Sequence, residues 1–333
     1  MSQGDQRFRK DWRLYRRTSQ KKIAHDNRRD HRRLTEVSRN RKILGILAMS
    51  LIWGTTWLVI KIGLEGMPPF LGVSIRFLLA GTILLLISVI KNRELSISIE
   101  LLKISALIGI LLFTVSYSAI YWAEQYISSG LASVLFATMP LFVALFAGIF
   151  LKNENLSPLR LLGMIIGISG IILIFLESIG SDEGLSSKGL IVMTLSPISA
   201  ALSIVITKKH IHSFNPLVLN GTSMLIGGFS TLLIHFYFSS SSPVVWDLTS
   251  VSALLYLSIF GSAVAFGIYY WMLQHTQVIT VSLVAFISPV IAVFLGAALL
   301  SESLSRLQLI GSVFVLGGVV LSEVVNYRKN QAL

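Results

Sequence analysis

The 333-residue chain contains no cysteine and few charged residues. The absence of cysteine excludes disulfide bonds, cysteine-ligated zinc, iron–sulfur clusters and a thiol nucleophile. Charged residues make up only 13% of the chain, against about 25% in a soluble domain. Residues 1–42 hold 15 of the 28 basic side chains, so the other 291 residues carry 13 basic and 11 acidic ones. Because so few charges cannot cover a water-soluble surface of this size, most of the surface is expected to face lipid.

Long apolar runs dominate the chain beyond residue 42. A bilayer core about 30 Å thick requires roughly 20 apolar residues of helix. Ten runs meet this requirement, at residues 43–63, 70–90, 104–123, 130–151, 159–176, 189–207, 216–238, 251–273, 279–300 and 307–325. The sequence therefore predicts an all-α integral membrane protein with ten transmembrane helices.

The positions of Lys and Arg predict the orientation, since cytoplasmic loops retain basic residues. An inside N-terminus and an even number of spans place both termini in the cytoplasm, with nine basic residues in inside loops and three in outside loops. The tail of residues 1–42 is expected to be disordered and drawn to anionic lipid. It lacks the interleaved aromatic residues of a nucleic-acid platform, so nucleic acid is not a favoured partner.

The two halves of the chain repeat each other. Tyr121-Trp122 and Pro140 recur 149 residues later as Tyr270-Trp271 and Pro289, and Glu154, Gly163 and Gly170 recur 148 residues later as Glu302, Gly311 and Gly318. We assign residues 43–178 to the first repeat, 186–325 to the second and 326–333 to a cytoplasmic tail. Because five spans per half is an odd number, the repeats are expected to be inverted, as in alternating-access carriers.

Several motifs are similar to those of a known family. They are Ile52 to Trp57, Lys61 to Leu64, Arg76 to Gly81, Tyr121 to Tyr126, Gly130 to Ser133, Tyr270-Trp271, Pro289 and Glu302. With them the chain resembles the EamA-type branch of the drug/metabolite transporter superfamily over roughly residues 43–325. The resemblance implies two EamA repeats, a central cavity and export of amino acids, related metabolites or drugs. The basic tail lies outside this pattern, and Glu124 stands where an apolar residue is expected.

Aromatic side chains are the first candidates for the cavity wall. In the third span Tyr117 and Tyr121 share one helical face with Glu124, and Phe266 and Tyr270 repeat that spacing in the eighth. Trp53 and Trp57 lie one turn apart on the first span. Aromatic residues in membrane helices also form interfacial belts or pack against other helices, and these alternatives stay open.

Two prolines are further candidates. Pro140 and Pro289 each fall about ten residues into a span, where a proline frees a backbone carbonyl near the midplane. Broken helices place substrate groups at that depth. A packing kink without a ligand is the alternative.

Three charged residues, Lys61, Arg76 and Glu124, complete the candidate set. For Lys61 and Arg76 the sequence leaves open two roles, contact with an anionic substrate group and a structural role through Glu65 or the membrane interface. Glu124 is the one acidic residue expected near the cavity, which leaves proton coupling open.

Other classes of function find little support in the sequence. No Asp lies within a predicted span, and His235 is the only His inside one, so no catalytic residue, metal site or cofactor is predicted. A Walker-type phosphate loop is absent from the sequence, which excludes ATP-driven pumping by this chain alone. The sequence predicts a secondary carrier in the cytoplasmic membrane that exports small molecules by alternating access. A channel, a regulatory membrane protein and, least favoured, an intramembrane enzyme are the alternatives; the oligomeric state is not predicted.

Overall fold

The computed structural model describes residues 39–91, 97–150, 158–179, 184–211, 213–238, 242–275, 281 and 284–331. The chain divides into two units, Met1–Ile43 and Leu44–Leu333. The first 38 residues of the predicted tail lie outside the described part, and the first unit is described only from Arg39, where helix α1 begins. Throughout the described ranges the regular elements are helices, with no β-strand.

The described residues of the first half form seven α-helices and one π-helix. They are α1 Arg39–Gly63, α2 Pro69–Ile90, α3 Ile99–Ile108, π1 Gly109–Ser116, α4 Tyr117–Ala123, α5 Ser129–Phe136, α6 Met139–Phe150 and α7 Pro158–Ile179. The hydroxyl oxygens of Ser98 and Ser128 accept hydrogen bonds from backbone N–H groups three residues on, at 3.1 and 3.2 Å. These caps explain why α3 and α5 begin where they do.

In the described ranges of the second half there are six α-helices and one π-helix. They are α8 Gly184–His210, α9 Pro216–Phe238, α10 Leu248–Ser258, π2 Ile259–Val264, α11 Ala265–His275, α12 Val284–Leu300 and α13 Arg306–Gln331. Asp247 caps α10, because its carboxylate accepts the backbone N–H of Ser250 at 2.8 Å.

Three of the predicted spans are not uniform α-helices. The fourth is interrupted at residues 137–138, between α5 and α6. Pro140 explains the interruption, because it has no backbone N–H to donate and its ring crowds the carbonyl group four residues earlier. The third and eighth spans instead contain the π-helical segments π1 and π2, in which the backbone turns are wider.

Among the residues that the structure describes, seven helical segments are long and apolar enough to cross a membrane. They are Arg41–Gly63, Pro69–Ile90, Ile99–Ala123, Ser129–Phe150, Ser187–His210, Pro216–Phe238 and Leu248–Leu273. Three further helical segments in the described ranges are also apolar but shorter. They are Leu161–Leu176, Ile287–Leu300 and Arg306–Leu321. Large apolar side chains are exposed on the outer faces, among them Leu233 and Phe294. An apolar exterior of this kind is typical of a protein embedded in lipid.

Close helix crossings hold the core together. Helix α7 packs along α13, and α2 packs along α9. A Cβ atom at Gly170 would lie 2.5 Å from the carbonyl oxygen of Gly311, and one at Gly311 would lie 2.7 Å from that of Gly170. The α7–α13 backbones therefore approach to a distance that only glycine permits.

Candidate functional site

A cavity of about 120 Å³ lies between the two halves of the chain. The first half contributes α1, π1, α4, α5 and α6 to its wall, and the second half contributes α8, α11 and α12. A volume of this size is large enough for several water molecules or a small organic molecule.

Aromatic rings form much of the cavity wall. The ring of Trp53 lies 5.4 Å from that of Phe266 in an edge-to-face contact and 5.5 Å from that of Tyr269. On another part of the wall, Trp57 lies 5.5 Å from Phe136. Rings at these separations attract each other and restrict one another's rotation. The wall is therefore a preformed aromatic surface with contributions from both halves.

The polar atoms on the wall belong to uncharged side chains. Hydroxyl groups come from Thr56, Tyr117, Ser133, Tyr269 and Ser288. Among the described residues that line the cavity, none has a charged side chain. The cavity therefore suits a molecule that offers an apolar surface together with a few hydrogen-bonding groups.

Arg76 on α2 is buried and joins the two halves behind the cavity wall. Its guanidinium donates to the hydroxyl of Ser262 at 2.7 Å, to the carbonyl oxygen of Gly261 at 3.2 Å and to the hydroxyl of Tyr121 at 3.2 Å. Its Cζ also lies 4.9 Å from the ring centroid of Tyr117, a cation–π distance. These partners satisfy a charge that would otherwise be expensive to bury.

The carbonyl oxygen of Gly261 has a second donor from the first half. The indole nitrogen of Trp53 donates to it at 3.3 Å. Gly261 lies in π2, where the wider backbone turn replaces the usual α-helical pairing. Side chains of α1 and α2 thus converge on one backbone oxygen of the eighth predicted span.

Lys61 holds the end of α1 to the loop after α4. Its ammonium donates to the backbone carbonyl oxygens of Glu124 and of Ile127, the latter at 2.9 Å. The side chain of Glu124 itself is fully buried. Lys61 therefore binds the backbone of this loop, and neither of these hydrogen bonds involves the Glu124 carboxylate.

Glu302, between α12 and α13, caps a helix of the other half. Its carboxylate accepts from the backbone N–H of Ser129 at 2.9 Å, from the Ser129 hydroxyl at 2.7 Å and from the backbone N–H of Gly130 at 3.3 Å. Ser301, at φ 55°, ends α12 in a left-handed conformation just before Glu302. A carboxylate at the first turn of α5 is stabilised by the free N–H groups there.

The sequence pattern of the EamA-like transporter family matches this chain twice, at residues 40–176 and again at residues 187–324. This chain belongs to the EamA-like transporter family. It is a multi-pass membrane protein of a transporter family, and the relatives that it matches include proteins named as transporters. A bilayer and a small-molecule substrate follow from that membership.

Two bacterial transporters and one solved structure illustrate the similarity. The inner membrane transporter YedA of Escherichia coli is 31% identical over 284 residues, which is 85% of this chain and 90% of YedA. The transporter YoaV of Bacillus subtilis is 27% identical over 281 residues, 84% of this chain and 96% of YoaV. A crystal structure with a TM-score of 0.64 and 19% identity covers 87% of this chain and 99% of the solved one, and it shows the fold alone.

Some of the site residues predicted for this EamA-family chain lie on the cavity wall, and the others lie away from it. Six lie on the cavity wall: Trp53, Trp57, Tyr117, Pro140, Phe266 and Pro289. Five lie off it: Lys61, Arg76, Tyr121, Glu124 and Tyr270. Tyr121 bonds to Arg76, and the buried ring of Tyr270 lies 6.0 Å from that of Tyr269.

Sequence reasoning missed two features of the site. It paired Arg76 with Glu65 as one alternative, whereas the guanidinium bonds to Gly261 and Ser262 in the other half. It also identified Glu302 as a repeat position at the outer mouth and as part of the family pattern, but with no partner. A signal for Glu302 was present, because a lone acidic residue next to a span of a charge-poor chain requires a buried partner or water. Among the described residues there is no group of three or more potential metal-binding side chains.

Proposed function

We propose that this protein is a secondary carrier that exports amino acids or related small amphipathic molecules from the cytoplasm by alternating access. The cavity between the halves is the observation that carries the proposal, because its wall is aromatic, lacks charged side chains among the described residues and includes helices of both halves. A cavity at the interface of two halves is accessible from either side once the halves rock against each other.

The carrier is proposed to span the membrane ten times. The three shorter apolar segments would be the fifth, ninth and tenth spans, each overlapping a predicted apolar run. The two repeats would then be residues 43–178 and 186–325, related by inversion because each contains five spans. The two matches to the family pattern, at residues 40–176 and 187–324, support this division.

Two pairs of structural features support the inverted symmetry. The π-helical segments begin 150 residues apart, at Gly109 and Ile259, and end 148 residues apart, at Ser116 and Val264. The contact of Gly170 with Gly311 recurs between their equivalents in the opposite repeats, since a Cβ atom at Gly318 would lie 2.5 Å from the carbonyl oxygen of Gly163. Such an exchange of contacts is expected where a pseudo-two-fold axis passes between two helices.

The cavity favours amphipathic substrates without net charge. Hydroxyl groups offer hydrogen bonds to amino, carboxyl or amide groups, while the rings of Trp53, Trp57 and Phe266 bury an apolar side chain. A substrate with an uncompensated charge would pay a large desolvation penalty there. Amino acids, whose charges cancel, and neutral metabolites or drugs remain within this class.

Glu302 is proposed to close the cavity at the end of α5 that begins with Ser129. In the conformation described here its carboxylate bonds the second repeat to the first. Opening toward the outer side would separate these groups. We place both termini in the cytoplasm, because the basic residues of the loops and of residues 1–42 favour that side, and we expect the basic segment to attract anionic lipid.

The proposal is tested with purified protein in liposomes. A thermal stabilisation screen against amino acids and neutral metabolites first identifies a binder, because a ligand raises the apparent stability by mass action. The liposomes are then loaded with that compound, and uptake of a labelled trace is measured. A carrier accumulates the label transiently by counterflow. If unlabelled compound inside the liposomes does not accelerate uptake of the label, the protein is a channel. Absence of uptake would contradict the proposal.

A further inference from the structure

Glu124 is a buried acid without a partner. It follows α4 directly, in the loop between two candidate spans, and none of its surface is exposed to solvent. Neither oxygen of its carboxyl group has a hydrogen-bond partner among the described residues. An ionised carboxylate without a compensating hydrogen bond is one of the most costly groups to remove from water. The neutral acid, with its proton bound, fits this position far better.

Four ionisable side chains act on Glu124 from the elements packed around it. Lys61 lies on α1, Arg76 on α2, Tyr121 on α4 and Glu302 in the loop after α12. The two cations favour the ionised carboxylate, whereas Glu302 opposes it. The outcome depends on whether either cation reaches the carboxylate oxygens.

Both cations are engaged by other acceptors. The ammonium of Lys61 donates to the backbone carbonyl oxygens of Glu124 and Ile127. The guanidinium of Arg76 donates to the two hydroxyls and one carbonyl oxygen described above. Burial therefore dominates and raises the pKa of Glu124 well above its ordinary value; Lys61 opposes the rise, Glu302 adds to it and Arg76 opposes it.

We propose that Glu124 is the proton-binding group of the carrier. It holds a proton while Glu302 caps α5, and it releases that proton to water when this contact opens. On release the O–H bond of the carboxyl breaks, the proton passes to water, and the carboxylate gains Lys61 as an available counter-ion. Closure of the Glu302 contact is thereby coupled to uptake of one proton. This inference rests on the proposed alternating access and adds to it a protonation step linked to the Glu302 contact.

Infrared spectroscopy of the purified protein tests the bound proton without a substrate. A protonated carboxyl without a hydrogen bond shows a C=O stretching band at high frequency, separate from ionised carboxylates. At neutral pH the wild type is expected to show this band. E124Q should lose it, whereas E65Q, which alters the exposed acid after α1, should retain it. Thermal unfolding of each variant checks the fold, and E124D, which retains a carboxyl group, should keep a band at shifted frequency.

The titration of the band tests the link to Glu302. Removal of the neighbouring negative charge by E302Q should shift the midpoint of the band to lower pH, because ionisation of Glu124 becomes easier. A band that persists in E124Q, or a wild type without such a band at neutral pH, would overturn the inference. An unshifted midpoint in E302Q would also count against it. If the protein shows counterflow but no titrating band, only the proton site is refuted. If the band is present but counterflow is absent, the carrier proposal is refuted.

Discussion

Glu302 and Ser129, 173 residues apart in the chain, are joined by two hydrogen bonds, from the backbone N–H at 2.9 Å and the hydroxyl at 2.7 Å. Gly296 makes room for this contact, because a Cβ atom there would lie 2.3 Å from a carboxylate oxygen of Glu302. The obstacle would be the far end of a flexible side chain. A methyl group at this position would therefore displace the carboxylate and leave the helix intact.

G296A is expected to favour the open cavity. Loss of charge-assisted hydrogen bonds should shift the population about tenfold, which corresponds to about 1.4 kcal/mol. The measurement is the labelling rate, by an impermeant thiol reagent, of a cysteine introduced by S133C on the cavity wall. G317A is the matched control, since nothing lies within 4 Å of a Cβ atom there. Equal labelling rates in G296A and G317A would refute a closing role for Glu302.

The α7–α13 crossing is expected to tolerate no side chain at Gly170. G170A would force a Cβ atom against the backbone of Gly311, and overpacking of this kind costs about 1–3 kcal/mol. The apparent melting temperature in detergent and the amount of protein in the membrane should both fall. G317A on the same helix pair should leave both unchanged, and a similar loss in the two variants would point to a general effect of helical alanine.

The aromatic wall is expected to determine substrate affinity. F266A removes a ring that contacts Trp53 on the cavity wall. Affinity for a compound found by the stabilisation screen should fall by about tenfold or more, since loss of an aromatic contact and its buried area exceeds about 1.4 kcal/mol. F294A on α12, whose ring is exposed on the outer surface, is the control. Unchanged affinity in F266A would exclude this ring from the binding site.

The cap of α10 should show a defined pH dependence. Hydrogen bonds from Ser250 hold the pKa of Asp247 below its ordinary value. A lowered pKa in the folded state adds stability above the unfolded value of about 3.9, and this contribution disappears as the pH falls through the lower folded pKa. The stability gap between wild type and D247A should therefore be present at neutral pH and close in acid. D247N retains a capping side chain that does not titrate. The difference in stability between D247N and D247A should therefore not change with pH.

The proposed orientation is tested with single cysteines in whole cells. Ser242 lies before α10 and Lys209 near the end of α8, and both are exposed. An impermeant reagent added outside should label S242C and spare K209C. The reverse pattern would place the termini outside and invert both repeats.

The helical class and the apolar segments could be predicted because hydropathy depends on composition averaged over about twenty residues. Each predicted run overlaps a helix of the structure. Six of the eight aromatic and proline candidates lie on the cavity wall, since repeat symmetry selects equivalent helices.

The partners of Arg76 and Glu302 could not be predicted. They lie 185, 186 and 173 residues away along the chain, and helix packing alone brings them together. The π-helical segments could not be predicted either. In π2, side chains of two other helices, Trp53 and Arg76, donate to the carbonyl oxygen of Gly261, and these contacts too come from helix packing.

The wide turns of π1 and π2 also determine the directions in which the cavity side chains point. Each residue of an α-helix rotates the chain by about 100°, so one residue inserted or deleted within a span turns everything beyond it by that angle. Tyr117 follows π1 directly, and Phe266 follows π2 by two residues. A regular α-helix formed by the same residues in either segment would rotate one of these rings off the wall with no change in composition or hydropathy. The rotation of the helix about its axis therefore specifies the binding surface as much as the identity of the side chains does.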